Sequence, residues 1–594
     1  MITHEFSCYL PAGKPVFFTI DRAVGCRAST LLRVIPAELQ IWGREEIRLP
    51  DLHFYKTSIP IKPRNTLPSR CLEWLQQNSD TAENVIFPDD SLNDIFPSGP
   101  PRDSVNVLIA DPEELVEALD DLDPLHTYSR TMKKVVDRHL QRLFIKSSPS
   151  EIIKTHDKLA QVFGGEHPLI HIGRTGGIPA VIFNPVLANL KKDLDNLDQI
   201  EVGPENIRRA SRYLHNAVQF YKDEEARQQN LEELLNQAIG QDVNWKSTLD
   251  WADDITPSAI WKFGDFAAIV LELKNSLGIS GDAIHQAIID YAKMVSSNKY
   301  KHLWGRCNFP VVLVGITANR IEISVAVCVG AIYVTKLFAV DLALDFHASD
   351  NILALARLFR ALSRCRLDLR EYYRSVGQSD ALVTRPILSA LFPRPTPLDV
   401  SRPLPDLTFQ YFVQDGQPVP DIPDFGHALT AMFIATLNER EVIVKFTPRY
   451  NKAAHDLLAQ AQLAPRLHAC ELVVGDLFMV VMDRVDALPI SQLMNSMKLL
   501  PEIVSKKVEE AINLLHQQAI VFGDLREPNI LYAPSEDRVY FVDFDWAGKD
   551  GEARYPATLN DWDLTWSPGV EPYAIMHKAH DLWQVDHLKA LCNL

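Results

Sequence analysis

The sequence predicts a multidomain α+β protein, and three observations carry that expectation. At 594 residues, 46% of them hydrophobic, the chain is too long for one core and has apolar material for about three or four domains of roughly 100–200 residues. Short strand patterns broken by turns fill residues 1–112, helical periodicity dominates 113–204, and strand and helix patterns alternate afterwards. Six prolines crowd into "RPILSALFPRPTPLDVSRPLPDL", 385–407, too many for a helix or a central strand, so this stretch reads as a linker.

Composition narrows the class. A formal charge of −17 argues against a surface built for indiscriminate nucleic-acid binding and leaves room for a local basic groove. The eight cysteines form no CxxC pair and read as reduced core thiols of an intracellular site of action. "MITHEFSCYL" has an acid where a signal peptide carries its basic segment. The most apolar stretch, 309–340, is interrupted by Arg320 and Glu322, so we expect buried strands and no membrane span.

The first region runs "FSCYL", the turn "PAGK", "PVFFTI", a helix around "STLLRVI", then "LHFYKTSIPI" and "VNVLIADP". This is the order of a small β-grasp, ubiquitin-like module over 1–112. "LHFYKTSIPI" and "SLNDIFPSGPPRDSVNVLIADP" resemble the end of the amino-terminal domain of Crinkler-type effector proteins. That resemblance implies a protein that acts inside a host cell, including its nucleus, although the family's translocation motif is absent. Residues 113–204 are expected as a helical connector, and its "GRTGGIP", 173–179, lacks the Lys-Ser/Thr of a P-loop and reads as a loop.

In 205–384 the informative segment is "WADDITPSAIWKFGDFAAIVLELKN". Glu272 and Lys274 lie two apart in an apolar strand and share a face. "KFGD" is a turn signal, and a hairpin centred near Phe263 sets Asp254 opposite Glu272 while Asp253 faces the other way. Two carboxylates and a lysine at one end of a hairpin suit Mg²⁺ and a water activated for phosphodiester hydrolysis. With Gln286 and Tyr291 on the following helix, the pattern resembles the PD-(D/E)xK restriction-endonuclease-like fold over about 205–345. The resemblance implies Asp254, Glu272, Lys274 and Gln286 as catalytic residues and Asp254 and Glu272 as metal ligands. A further acid from "YKDEEARQQNLEELL", Glu225, is expected to join them. DNA is the implied partner. The family's proline does not precede Asp253, and Pro257 falls inside the expected first strand.

In 408–594, "REVIVKF" places Lys445 on a strand, "VFGDLREPNILY" spaces Asp524 and Asn529 five apart, and "VYFVDFDWAG" ends a strand at Asp543. The order and spacing resemble the protein-kinase-like superfamily, close to Crinkler-associated fungal kinases and to choline or aminoglycoside kinases. The implied roles are Lys445 on the phosphates of ATP, Asn529 and Asp543 on Mg²⁺, and Asp524 as the proton acceptor, with a protein as acceptor substrate or partner. The segment before Lys445 has a single glycine, Gly426, and the helix after it offers only Asp456. Two functional classes therefore stand: an effector with Mg²⁺-dependent endonuclease and ATP-dependent phosphotransferase activities, or a catalytically degenerate scaffold that binds host regulators.

Overall fold

The computed structural model describes residues 3–10, 16–23, 27–32, 34–35, 53–63, 66–78, 84, 86, 90–110, 124–142, 148–149, 152, 156–163, 170–172, 177–245, 255–276, 282–378, 388–414, 417–419, 431–496, 500–559 and 566–593. The chain is a multidomain α/β protein divided into two compact units, Met1–Lys134 with Ser375–Leu388, and Val135–Arg374 with Ser389–Leu594. Among the described residues, no helix is long and apolar enough to cross a membrane.

The first unit holds strands β1 (Thr3–Leu10), β2 (Val16–Ala23), β3 (His53–Pro60) and β4 (Ser104–Ala110). They form one sheet in the order β2-β1-β4-β3. β1 pairs antiparallel with β2 and parallel with β4, which pairs antiparallel with β3. Alternation along β1 sends Phe6, Cys8 and Leu10 to one core and Tyr9 to another on the opposite face, where Leu67, Cys71 and Leu75 of helix α1 (Leu67–Asn78) cover it.

In the second unit, a seven-stranded sheet runs β5-β11-β10-β9-β8-β7-β6. Its strands are β5 (Ile170–His171), β6 (Val243–Trp245), β7 (Ala259–Phe263), β8 (Phe266–Lys274), β9 (Val311–Thr317), β10 (Arg320–Cys328) and β11 (Ile332–Asp341). Helices α2 (Pro185–Asp195), α3 (Pro204–Ala217), α4 (Glu224–Ile239), α5 (Ala283–Val295) and α6 (Ala348–Gln378) accompany it. β8 is buried from Ala267 to Lys274, as its unbroken apolar run requires of a strand covered on both faces. The chain leaves β8, forms α5 and returns as β9 parallel to β8, with Glu272 beside Gly315. Gly315 permits this packing: a Cβ there would lie 2.9 Å from the backbone nitrogen of Ile284 in α5.

Composition and contact place the boundaries differently. β5, from the expected connector, pairs parallel with β11, so residues before 205 complete this sheet. Of the expected linker, residues 388–407 are described: Ala390, Leu391 and Phe392 are buried, and Pro397 bridges to Val473.

The rest of the second unit is two-lobed. One lobe is a six-stranded antiparallel sheet in the order β13-β12-β14-β15-β17-β16. Its strands are β12 (Thr408–Gln414), β13 (Gln417–Val419), β14 (Ala431–Leu437), β15 (Arg440–Thr447), β16 (Leu467–Val473) and β17 (Leu477–Asp483), with helix α7 (Lys452–Gln460) after β15. The other is built on α8 (Glu502–Gln517) and α9 (Lys578–Asn593), with short strand pairs around the loop 522–529. Gly426 and its loop lie outside the described residues.

Candidate functional site

Two constellations form, both in the second unit. In the two-lobed part, Lys445 sits mid-strand on β15, buried, between Met432 and Val480 of the neighbouring strands. Its Nζ donates to Asp543 Oδ1 and Asp545 Oδ1, each at 2.8 Å. Thr447, two residues on and therefore on the same face, donates its hydroxyl to Asp545 Oδ2 at 2.6 Å. Burial opposes the charge on Lys445, but the two carboxylates outweigh it and raise its pKa. For Asp543, desolvation is likewise outweighed by the ammonium and the hydrogen bonds, and the carboxyl is held below its usual range. Asp545 is pushed up to about 7, chiefly by burial, against the pull of Lys445.

Asp543 adopts φ 67°, a left-handed conformation uncommon outside glycine. Its neighbour Phe544 fixes it, stacked on His455 of α7 at 4.7 Å and edge-on to Phe522 at 5.5 Å. His455 is itself held at both ring nitrogens, by the Tyr450 hydroxyl at 2.6 Å and the Pro465 carbonyl at 2.8 Å. This aromatic column joins the ion pairs of Lys445 in tying the two lobes together.

Below it, Asp524 is 3% exposed, and burial raises its pKa despite Arg526. Arg526 grips both carboxylate oxygens, through Nε to Oδ1 and through Nη2 to Oδ2 at 2.8 Å, and lies 5.5 Å from the rings of both Trp546 and Trp566. Asn529 Nδ2 donates to the Asp524 carbonyl at 2.9 Å. The loop is pinned from α9: Asp581, 1% exposed, accepts from the backbone N–H of Phe522 at 2.8 Å and of Gly523 at 2.9 Å and contacts His516 Nε2 at 3.0 Å. Gly523 has φ 80°, and a Cβ there would overlap the end of the Met576 side chain. Asp456 pairs with Lys452 on the surface at 2.6 Å; Asp543 and Asp545 hold Lys445 instead.

The second constellation lies at the end of β8. Glu272, 1% exposed, accepts from Ser258 N at 3.0 Å and from Ser258 Oγ at 2.9 Å. Its partner across the hairpin is therefore Ser258. The turn centres between Gly264 and Asp265, with a register shift at Trp261/Lys262, so the expected centre at Phe263 is displaced and the position opposite Glu272 is that of Ser258. Asp253 and Asp254 themselves lie outside the described residues, and Pro257 precedes β7.

Lys274, buried, meets Glu224 Oε2 at 3.6 Å. Asp223 caps α4 by accepting from Ala226 N, and that phase turns Glu224 to the strand and Glu225 to solvent, where Glu225 accepts from Gln229 Nε2 at 3.4 Å. Of the two glutamates, Glu224 and not Glu225 is the one beside Lys274.

On α5, Gln286, Asp290 and Lys293 share one stripe and are all buried. Asp290 and Glu272 face each other as buried carboxyls. Burial raises the Glu272 carboxyl, and burial together with the charge of Glu272 raises Asp290 further. Tyr291 turns away from this stripe and donates to the Phe309 carbonyl at 2.7 Å. Sequence reasoning misses Asp290, Glu224, Asp545 and Asp581. Among the described residues, no group of three or more His, Cys, Asp or Glu is gathered as a metal site.

No family model matches the chain, and no curated protein matches it. Among solved structures it is similar to the kinase PK-1 of Cydia pomonella granulovirus, at 17% identity and a TM-score of 0.24, over 31% of this chain and 67% of that one.

Proposed function

We propose that residues 408–594 form a Mg²⁺- and ATP-dependent phosphotransferase of the protein-kinase-like kind. The observation that carries the reading is the convergence of Lys445 from the sheet with Asp543 and Asp545 from the other lobe, above a loop that presents Asp524 and Asn529. The donor set fits a hard cation: two carboxylates, with the Asn529 carbonyl oxygen, are the oxygen ligands Mg²⁺ takes. Bound there, Mg²⁺ would neutralise charge on the phosphates of ATP. Lys445 then leaves the aspartates to hold phosphate oxygens, and Asp524 takes the proton of an incoming hydroxyl once Arg526 swings off it. Positioning and electrostatics supply most of the catalysis in such transfers. The test is a melting experiment with ATP and Mg²⁺ at millimolar concentration followed by autophosphorylation. We expect a raised melting temperature in the wild type, lost in Asp543→Ala, with Asp524→Ala retaining the shift and losing transfer. No shift in the wild type overturns the reading.

The middle module is proposed as a Mg²⁺-dependent nuclease acting on DNA. Supporting this are helix α4, the antiparallel run β6-β7-β8, helix α5 and the parallel strand β9, which together bury Glu272 and Lys274 side by side. The β2-β1-β4-β3 order with parallel β1 and β4 supports a ubiquitin-like amino-terminal module of Crinkler type in an effector that engages host proteins. A degenerate scaffold is the second reading. The grip of Arg526 on Asp524 and of Ser258 on Glu272 favours it, because both occupy carboxylates that catalysis needs free.

A further inference from the structure

The chain carries 77 acidic residues against 60 lysines and arginines, and in the two lobes Lys452, Arg526, Arg538 and Lys549 each pair with one. Arg449 and Arg554 do not, and they stand together. Arg449 lies in the loop between β15 and α7, while Arg554 sits between Ala553 and Tyr555, which pack with Val521 in the other lobe. Arg449 Nη1 donates to the Arg554 carbonyl at 3.3 Å. Arg554 Nη1 in turn donates to the Tyr573 carbonyl at 2.9 Å, and its guanidinium lies 4.9 Å from the Tyr573 ring. Backbone carbonyls and a ring thus hold both cations where carboxylates hold the others.

Arg449 Nη2 is buried and has no acceptor among the described residues. A buried carboxyl can take up a proton and an amine can lose one, but a guanidinium does neither and keeps its charge. Burial acts against that charge and holds the Arg449 pKa below its usual value despite the pull of Asp545. Asp545 is already committed, with Lys445 and Thr447 on its two oxygens. The neighbours therefore leave the demand of Arg449 unmet. Two guanidinium groups, one from each lobe, complement a phosphate monoester, which has close to two negative charges at neutral pH and several strong acceptor oxygens. Arg554 and Tyr573 are exposed, which opens this place to solvent.

We infer that Arg449 and Arg554 form an anion subsite across the two lobes that takes a phosphate group. That group arrives on a second molecule or stands on a hydroxyl of this chain; both sources present the same oxygens to the arginines. Binding of the anion does not depend on the phosphotransferase reading, because it is measured without turnover.

The experiment is calorimetric titration of inorganic phosphate into the full-length protein without nucleotide, with melting curves in phosphate and in sodium chloride of matched ionic strength. We expect a saturable site whose affinity Arg449→Gln and Arg554→Gln each lower by about 10-fold or more, the worth of at least one charged hydrogen bond. Arg449→Gln removes a buried charge that nothing balances, so it should melt no lower than the wild type in chloride and should lose the rise that phosphate gives. Arg554→Gln changes an exposed residue and serves if the first variant fails to fold. A second arm incubates the protein with ATP and Mg²⁺ and maps phosphate on the chain by mass spectrometry. Free phosphate bound by the wild type and weakened in both variants supports the subsite with an external ligand. Phosphate found on residues 551–576, with a rise in melting temperature that both variants lose and no binding of the free ion, supports it with the chain's own phosphate. Affinity that both variants leave unchanged, or no effect of phosphate in either arm, overturns the subsite and assigns Arg449 Nη2 to buried water.

Discussion

Replacing Asp545 by asparagine tests whether the cluster under Lys445 is kept for function at the expense of stability. Asp545 accepts from Lys445 and Thr447, its side chain is 10% exposed, and its carboxyl is pushed from 3.8 up to about 7. An acid whose folded pKa is raised makes the folded state less stable as pH rises, with the loss accumulating from about pH 4 and complete above about pH 7. At 1.36 kcal/mol per tenfold, that displacement is a ceiling of ~4 kcal/mol against the ionised form at pH 8, and coupling to Asp543 argues for about half of it. Asparagine keeps the shape and an oxygen for Lys445 but carries no charge. Asp545→Asn should therefore melt higher than the wild type at pH 8, by roughly 2–4 °C per kcal/mol in a domain of 150–250 residues. The difference should shrink toward pH 4–5. The same variant should lose the melting shift given by ATP and Mg²⁺, having lost a metal ligand. Differential scanning calorimetry at pH 5 and pH 8 reads both effects. A variant that melts lower than the wild type at pH 8 would show that attraction to Lys445 exceeds the desolvation of Asp545, and the reasoning fails.

Two further outcomes are expected. Burial lowers the pKa of His455 against the pull of the Pro465 carbonyl; its contribution is complete above about pH 6.5 and is lost as pH falls through the depressed value. The melting temperature of the wild type should decline below pH 6.5, and His455→Phe, which keeps the stack on Phe544 but loses ~1 kcal/mol of hydrogen bonding, should flatten that decline. An equal slope in both proteins would place the titrating group elsewhere. Gly315→Ala should cost about 1–3 kcal/mol by overpacking, because the new Cβ falls 2.9 Å from backbone that cannot rotate away; chemical denaturation with an unchanged midpoint would show that α5 shifts freely.

Much of this architecture was legible because local signals agreed with the tertiary outcome. "KFGD" made its turn, and the apolar run of β8 became a strand covered on both faces. Lys445, Asp524, Asn529 and Asp543 were legible as a set because fixed chain spacing between rigid elements carries information that single residues do not. The register of the β7-β8 hairpin was not legible, since the turn centres between Gly264 and Asp265 and the shift at Trp261/Lys262 then moves every partner beyond it by one more, and composition marks neither. Glu224 and Glu225 are equivalent to a count of acids; only the helix phase set by the Asp223 cap separates them. Asp290 did leave a signal, as the one acid of an otherwise largely apolar helix and four residues after Gln286, and a buried acid there should always be asked for its partner. Asp545 and Asp581 left less, because each acts on backbone or side chains about 60 to 100 residues away in sequence.

The proline-rich stretch shows how a segment that reads as a spacer can also make contacts along its length. Proline removes a donor and leaves its carbonyl intact, so a segment that cannot lie within a sheet can still lie along its edge and accept. Thr396 accepts from Val474 N at 2.9 Å, Leu398 N donates to the Leu472 carbonyl at 3.0 Å, and the Pro397 carbonyl takes Lys192 Nζ at 2.6 Å. Arg394 N donates to the Ile182 carbonyl at 2.8 Å, and Lys191 reaches Asp476 at 3.5 Å. The segment therefore pairs with β16 on one side and with α2 and the turn before it on the other. A sequence of this kind binds two sheets into one unit by the same property that makes it read as a spacer. The carboxylates at the end of β8 and the cluster under Lys445 thus belong to one compact unit of the protein, joined along an edge that the prolines leave free to accept.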